Sequence, residues 1–178
     1  MQPKPALTLA KLLLLLAFSG FAWPVSAQES KDPARFQQQG DRFFQERKIE
    51  KAAEAYQQAI KLQPNNAKAY GGLGFAYGAM GRYPEAVEAF KQSIRLQPNA
   101  PFPYGGLGMS YHMLQRYPES KEAYQQAIRL KSDLAEAHYG LGRTYLMLGD
   151  RDGALEEYNA LKTLDPKLAE ELLENIPR

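Results

Sequence analysis

Few side chains in this sequence are of the types that carry out chemistry. There is no cysteine to act as a nucleophile or a thiolate metal ligand, and the only histidines are His112 and His138. The stretch "GGLG", at 71–74 and 105–108, has the glycines of a phosphate-binding loop, but it precedes no lysine and lies within a predicted helix. We therefore expect no catalytic residues, no metal site and no cofactor.

Basic and acidic residues are balanced over most of the chain. Lys4 and Lys11 supply the whole formal charge of +2, so residues 28–178 carry equal numbers of basic and acidic side chains. Proteins that bind nucleic acids usually carry a basic patch or stripe. The charge balance therefore argues against a nucleic-acid partner.

The first 27 residues have the three regions of a secretory signal peptide. Lys4 and Lys11 form a basic start, an apolar run follows at 12–18, and the tripeptide Val-Ser-Ala at 25–27 offers a peptidase cleavage site. The alternative is an uncleaved anchor, but the apolar stretch is shorter than the roughly 20 residues that span a bilayer. We expect an exported mature protein that does not span the membrane, periplasmic in a two-membrane bacterium and secreted otherwise.

Short motifs recur along the chain at one fixed interval. The pairs separated by 34 residues are "GGLG" at 71–74 and 105–108, "RYPE" at 82–85 and 116–119, and "LQPN" at 62–65 and 96–99. The motif "AYQQAI" recurs at 55–60 and 123–128, which is twice that interval. A fixed period of this size is typical of a repeat architecture.

Each period resolves into two helices. Tyr70, Leu73 and Tyr77 recur at helical spacing, and Gly81 ends that helix. Pro84 fits the first turn of a second helix, where a missing N–H costs nothing. The pattern predicts a helix, a tight turn and a second helix in each unit.

These units resemble the tetratricopeptide repeat family, whose pattern of large, small and aromatic residues the second unit matches throughout. The matching residues are Tyr70, Leu73, Gly74, Tyr77, Ala86, Phe90, Ser93 and Pro98. The departures elsewhere are Gln39, Ser132 and His138. The resemblance implies an all-α, right-handed solenoid of four helix-turn-helix repeats, at 33–66, 67–100, 101–134 and 135–166. A polar lead-in would precede them at 28–32, and residues 167–178 would form a capping helix and tail over the last repeat.

The paired glycines of the first helices are costly, because each glycine in a helix interior loses about 1 kcal/mol relative to alanine. In the tetratricopeptide family, the unpacked face of the first helix lines a concave groove where partners bind. We interpret Gly71, Gly72, Gly105, Gly106 and Gly140 as the floor of that groove, pointing away from the packed face. Replacing Gly72 and Gly106 with leucine is then expected to raise stability and abolish partner binding.

The other side chains implied for this face are mainly apolar, and contiguous exposed apolar groups mark interaction sites. They are Phe44, Phe75, Phe102, Met109, His112, Met113, Tyr139, Arg143 and Met147. Two alternatives stay open. The glycines could be relics of a duplication, or Phe75, Met109 and Met113 could pack against one another and leave no accessible groove.

The resemblance implies a non-catalytic adaptor of the cell envelope that binds a peptide or amphipathic helix of another protein. The alternative is a structural factor that associates with itself or assists assembly of an envelope complex. Both functions depend on an interaction surface, so the aggregation state of the purified chain separates them.

Some family members clamp a C-terminal carboxylate with Lys, Asn and Arg on this face. The corresponding residues here are Gln37, Asp41, Gly72, Phe102 and Gly106, so that clamp is absent. His112 is expected on the groove face and His138 on the packed face. Their offset of roughly 12 Å along the helix axis is too long for a shared metal ion.

Overall fold

The structure is a computed structural model that describes residues 32–177. The predicted signal peptide at 1–27, most of the lead-in at 28–32 and the last residue of the tail lie outside the described residues. The described range contains nine α-helices and no strand. They are α1 (Pro33–Gln45), α2 (Ile49–Leu62), α3 (Ala67–Ala79), α4 (Tyr83–Leu96), α5 (Pro101–Met113), α6 (Tyr117–Leu130), α7 (Ala135–Met147), α8 (Arg151–Leu164) and α9 (Pro166–Asn175).

The helices pack in successive pairs. The first and second helix of each repeat contact each other, and each second helix also contacts the first helix of the next repeat. In addition, α1 contacts α3, α3 contacts α5 and α5 contacts α7. The first helices therefore lie side by side on one surface, which we call the groove face. The expected all-α repeat fold is confirmed.

One aromatic residue of each second helix forms the centre of the packing. Phe90 on α4 is fully buried, and Tyr56 and Tyr124 hold the equivalent positions on α2 and α6 with 3% and 6% of their surface exposed. Alanines such as Ala52 and Ala86 surround them and are also fully buried. Their small side chains let the helices approach closely around the rings. We call Tyr56, Phe90 and Tyr124 the core aromatics.

The C-terminal helix α9 begins one residue earlier than the sequence predicts. Pro166, expected to close the fourth repeat, is instead the first residue of α9. The carboxylate of Asp165 accepts hydrogen bonds from the backbone N–H groups of Lys167 and Leu168. This cap and a proline in the first turn, where no N–H is needed, together start a helix immediately after α8 ends.

The turn between the paired helices uses a left-handed backbone conformation. Gly81 and Gly149 adopt φ values of 73° and 76°, and Gln115 adopts 59° at the equivalent position of the third repeat. A side chain in this region is strained, whereas glycine is not. Replacing Gln115 with glycine is expected to raise the free energy of unfolding by about 0.5–1 kcal/mol, which urea denaturation would measure. The reverse change, Gly81→Gln, should lower it, and a loss from Gln115→Gly would contradict the explanation.

Candidate binding groove

The side chains predicted for the site all lie on α1, α3, α5 and α7, the helices of the groove face. Four large apolar side chains among them are exposed: Phe102 (56%), Met109 (39%), Met113 (48%) and Met147 (54%). Because Met109 and Met113 remain exposed, they do not close the groove by packing inward. The groove face therefore offers apolar surface along α5 and at the end of α7.

A concavity of about 290 Å³ opens on this face where α3, α5 and α7 meet. Its walls combine predicted and unpredicted residues: Phe75, Phe102, Gly105, Gly106 and Met109, with Tyr124, Leu134, Glu136 and Ala137. We call it the central pocket. The sequence pattern placed Tyr124 in the core, and it missed that the ring also reaches the pocket.

A second hollow of about 370 Å³ lies next to it, over α3 and the start of α5. Phe75 and Phe102 line both hollows, and Lys68, Gly71 and Gly72 line this one only. The two phenylalanines thus form a shared wall. Seven of the predicted residues line neither hollow: Phe44, His112, Met113, Tyr139, Gly140, Arg143 and Met147.

The structure corrects the direction assigned to three of the glycines. A Cβ atom on Gly72, Gly106 or Gly140 would lie less than 3.0 Å from the ring of the core aromatic in the preceding repeat. The same crowding exists at the glycine of each ring's own repeat, namely Gly40, Gly74 and Gly108. Each core aromatic is therefore held between two glycines, one on either side, and a side chain at Gly72, Gly106 or Gly140 would point into the packing.

The remaining two groove glycines differ from each other. At Gly105 a Cβ atom would meet nothing within 4 Å, so this residue faces open space as the sequence analysis expected. Gly71 is buried, and a Cβ atom there would lie 3.3 Å from the Ser93 hydroxyl and 3.8 Å from Pro103. Only Gly105 thus leaves space above the groove that a ligand backbone could enter.

His112 is tied into the packing rather than solvated. Its Nδ1 lies 3.1 Å from the hydroxyl of Thr144, which donates to the Gly140 carbonyl at 2.7 Å. The hydroxyl of Thr144 therefore accepts, and Nδ1–H of His112 donates. Burial lowers the pKa of His112, and the positive charge of Arg143 lowers it further. The histidine is thus a neutral link between α5 and α7.

His138 lies on the packed side of α7 between two acceptors. Its Nδ1 is 2.6 Å from a carboxylate oxygen of Glu157, and its Nε2 is 3.0 Å from the carbonyl of Ser132. Because both neighbours accept hydrogen bonds, both ring nitrogens donate and the ring is the imidazolium form. The hydrogen bond with Glu157 is the main cause that raises the pKa of His138.

This pair predicts how stability depends on pH. A raised pKa stabilises the folded state fully below about 6.5, the ordinary histidine value, and the gain is lost as the pH rises through the folded-state pKa. The lowered pKa of His112 has the opposite sign and costs stability below about 6.5. We expect the free energy of unfolding to fall as the pH rises above this value, and His138→Gln should remove that fall. Urea titrations at a series of pH values would measure both, and an unchanged slope in the variant would contradict the assignment.

The charged groups of the groove face are unequally satisfied. Asp41 accepts a hydrogen bond from the Tyr56 hydroxyl at 2.7 Å. Lys68, Glu136 and Arg143 form no ion pair with any side chain in residues 32–177, and Arg143 stacks over the ring of Tyr139 at 5.7 Å. These three charges are available to a ligand.

No group of three or more histidine or acidic side chains in the described range is arranged to hold a metal ion. None of the described helices combines the length and apolar character needed to cross a bilayer. The groove face is accordingly described by apolar surface, a few charges and hydrogen-bonding groups.

Family models for the tetratricopeptide repeat match residues 40–81, 67–100, 108–149 and 135–168 of the chain. Together these matches cover well over half of its length. The chain belongs to the tetratricopeptide repeat family. Tetratricopeptide repeats form interaction scaffolds and generally mediate contacts between proteins rather than catalysis.

Solved tetratricopeptide structures share the fold. A MamA protein is 25% identical with a TM-score of 0.69, over 80% of this chain and 87% of the other. YrrB, described as having an unusual peptide-binding site, is 22% identical with a TM-score of 0.70, over 87% of this chain and 90% of the other. The first tetratricopeptide domain of Spaghetti (RPAP3), bound to the HSP90 peptide SRMEEVD, is 20% identical with a TM-score of 0.65, over 67% and 95%. No curated protein sequence matches significantly.

Proposed function

We propose that this protein is a non-catalytic adaptor of the cell envelope, which binds a peptide or helical segment of another protein along its groove face. The observation that carries the proposal is the central pocket, where exposed Phe102 and Met109 stand beside the open backbone of Gly105. Methionine and phenylalanine adapt to apolar ligand side chains, and glycine lets a ligand backbone come close. A soluble chain gains nothing by exposing these groups unless something covers them.

Two relatives in fold support the kind of ligand. YrrB is described by its peptide-binding site, and the RPAP3 domain was solved with a bound peptide. Each is a peptide binder with helix pairs arranged as they are here. For the present protein, a peptide ligand is our proposal, and its residues differ from a charged clamp because apolar side chains surround the pocket.

The envelope location is proposed from the signal peptide at residues 1–27. If it is correct, the protein recovered from the exported fraction begins at Gln28. Amino-terminal sequencing after cell fractionation would measure this. Recovery in the cytoplasm with an intact first residue would remove the envelope from the proposal without affecting the groove.

The binding test uses two charge-introducing variants of the full-length protein. The groove variant carries Phe102→Glu and Met109→Glu. The control carries Leu62→Glu and Leu164→Glu, whose side chains are 41% and 37% exposed at the ends of second helices, away from the groove face. Circular dichroism would first verify that both fold.

Cross-linked capture from envelope extracts would then compare native protein, groove variant and control. We expect proteins captured by the native form and the control to be lost from the groove variant. Identical capture by all three would place the interaction elsewhere. A captured product that contains only a second copy of this chain, with a concentration-dependent mass in light scattering, would establish self-association instead.

A further inference from the structure

The core aromatics and the groove-face residues opposite them can be compared repeat by repeat. In the first repeat the hydroxyl of Tyr56 donates to Asp41 at 2.7 Å. In the second repeat the equivalent pair is Phe90 and Phe75, whose rings meet edge to face at 4.9 Å between centroids. Each of these aromatic residues has a partner that suits it, since a phenol has an acceptor and a plain ring has another ring.

The third repeat breaks this rule. It keeps a phenol at Tyr124, but Met109 stands where the first repeat has Asp41. The Tyr124 ring is 6% exposed, and its hydroxyl makes no hydrogen bond with any residue in the described range. A hydroxyl so placed loses free energy unless it finds a partner. No fully enclosed side-chain oxygen or nitrogen in residues 32–177 lacks a partner, so the Tyr124 oxygen reaches solvent through the central pocket, which its ring lines.

A positive charge lies close to this hydroxyl. The Tyr124 ring packs against Gly140, and Arg143 follows one turn later on the same helix. Although burial raises the pKa of Tyr124, the field of Arg143 opposes that shift, so the two groups are within electrostatic reach. Arg143 has no carboxylate partner in the described range.

The opposite charge stands at the other end of the pocket. Glu136 precedes Arg143 by seven residues on α7, roughly 10 Å along the helix axis. It would repel an acidic group at its own end, and the field acting on the pKa of Tyr124 comes from Arg143. A ligand carboxylate is thereby directed to the Arg143 end.

We infer that Tyr124 and Arg143 together bind a carboxylate of the ligand, while an apolar side chain next to that carboxylate fills the central pocket. The ligand carboxylate would accept from the Tyr124 hydroxyl as Asp41 accepts from Tyr56 within the first repeat. Open space at Gly105 leaves room for the peptide backbone between the two groups. This inference rests on the proposed peptide-binding function and specifies the motif as an acidic residue beside an apolar one.

The matched variants Tyr124→Phe and Tyr56→Phe each remove one hydroxyl from an equivalent ring of the full-length protein. Tyr56→Phe breaks a bond with Asp41 and should lower the midpoint of thermal unfolding by roughly 3 °C. Tyr124→Phe breaks no internal bond and should leave the midpoint unchanged or raise it. A fall as large as that of Tyr56→Phe would show that the Tyr124 hydroxyl has a structural role, and it would overturn the inference.

The ligand test selects binders from two displayed libraries of random twelve-residue peptides, one fused through the C terminus and one with free C termini. We expect selected peptides to carry an apolar residue beside Asp or Glu, or to end in an apolar residue with a free carboxylate. The first library isolates side-chain carboxylates and the second adds terminal ones. Selection of peptides without any carboxylate preference would overturn the inference.

The best binder would be synthesised with its carboxylate intact and as the amide. Either Tyr124→Phe or the amide should weaken the dissociation constant about tenfold, and combining them should add little, since both remove the same bond. Tyr56→Phe should leave binding unchanged. Equal affinity of native protein and Tyr124→Phe, in a peptide that the Phe102→Glu and Met109→Glu variant no longer binds, would overturn this inference alone. No binder in either library, or binding unaffected by that groove variant, would overturn the proposed function as well.

Discussion

Adding one methyl group at Gly106 is expected to destabilise the protein by about 1–3 kcal/mol, whereas the same change at the neighbouring Gly105 is expected to stabilise it by up to about 1 kcal/mol. A Cβ atom on Gly106 would lie 2.7 Å from Cε1 of Phe90 and closer still to its Cζ. Phe90 is fully buried between Gly74 and Gly106, so its ring has no space into which to move. At Gly105 no atom lies within 4 Å, and alanine gains its full helix propensity.

Urea denaturation of Gly105→Ala and Gly106→Ala would measure this contrast. A second experiment tests the cause by shrinking the ring: Phe90→Leu combined with Gly106→Ala should cost less than the sum of the two single changes, by at least about 0.5 kcal/mol. Equal stability of the two alanine variants would contradict the packing explanation. Leucine at Gly72 or Gly106 should therefore unfold the repeat array, and the sequence-based expectation that it would raise stability is wrong.

Truncating Leu172 to alanine should lower the free energy of unfolding by about 2–5 kcal/mol. Leu172 lies on α9, is fully buried, and reaches the position where a Cβ atom of Gly142 would be. In the earlier repeats a core aromatic fills the space against the equivalent glycine. The last repeat uses Leu172 from the capping helix for this purpose, so removing it leaves a cavity at the end of the array.

Leu173 provides the matched control, because it is the next residue on α9 and is 44% exposed. Leu173→Ala should change stability by no more than about 0.5 kcal/mol. Repeat arrays lose stability locally when an end is uncovered, so hydrogen exchange in Leu172→Ala should increase first in α7 and α8. Uniform exchange along the chain, or equal losses from the two variants, would contradict a capping role.

Much of the fold could be predicted because the period of 34 residues repeats the same packing problem several times. Tyr70, Leu73 and Tyr77 identify a helix by spacing alone, and Pro84 identifies where its partner begins. Recurrence in other units makes each such assignment independent of any single residue. The start of α9 was harder to place, because Pro166 suits both the end of one repeat and the first turn of a helix.

The candidate site was predicted less well, because the direction of a glycine is invisible in a sequence. Successive residues of a helix differ by about 100° in direction, so Gly105 and Gly106 cannot both point into the groove. Which one does so depends on where the ring of Phe90, from another helix, lies in space. His112 illustrates the same limit, since Thr144, its partner, comes from the next repeat.

The sequence by itself determined the repeat period, the alternation of helices, the family and the set of residues on the groove face. These follow from spacing within one helix pair, where neighbours in the chain are also neighbours in space. Only the tertiary structure decided which glycines hold the core aromatics, that Leu172 completes the last repeat, and that the Tyr124 hydroxyl opens onto the central pocket. Each of these depends on contacts between helices, and such contacts are set by the packing of side chains that lie 16 or more residues apart.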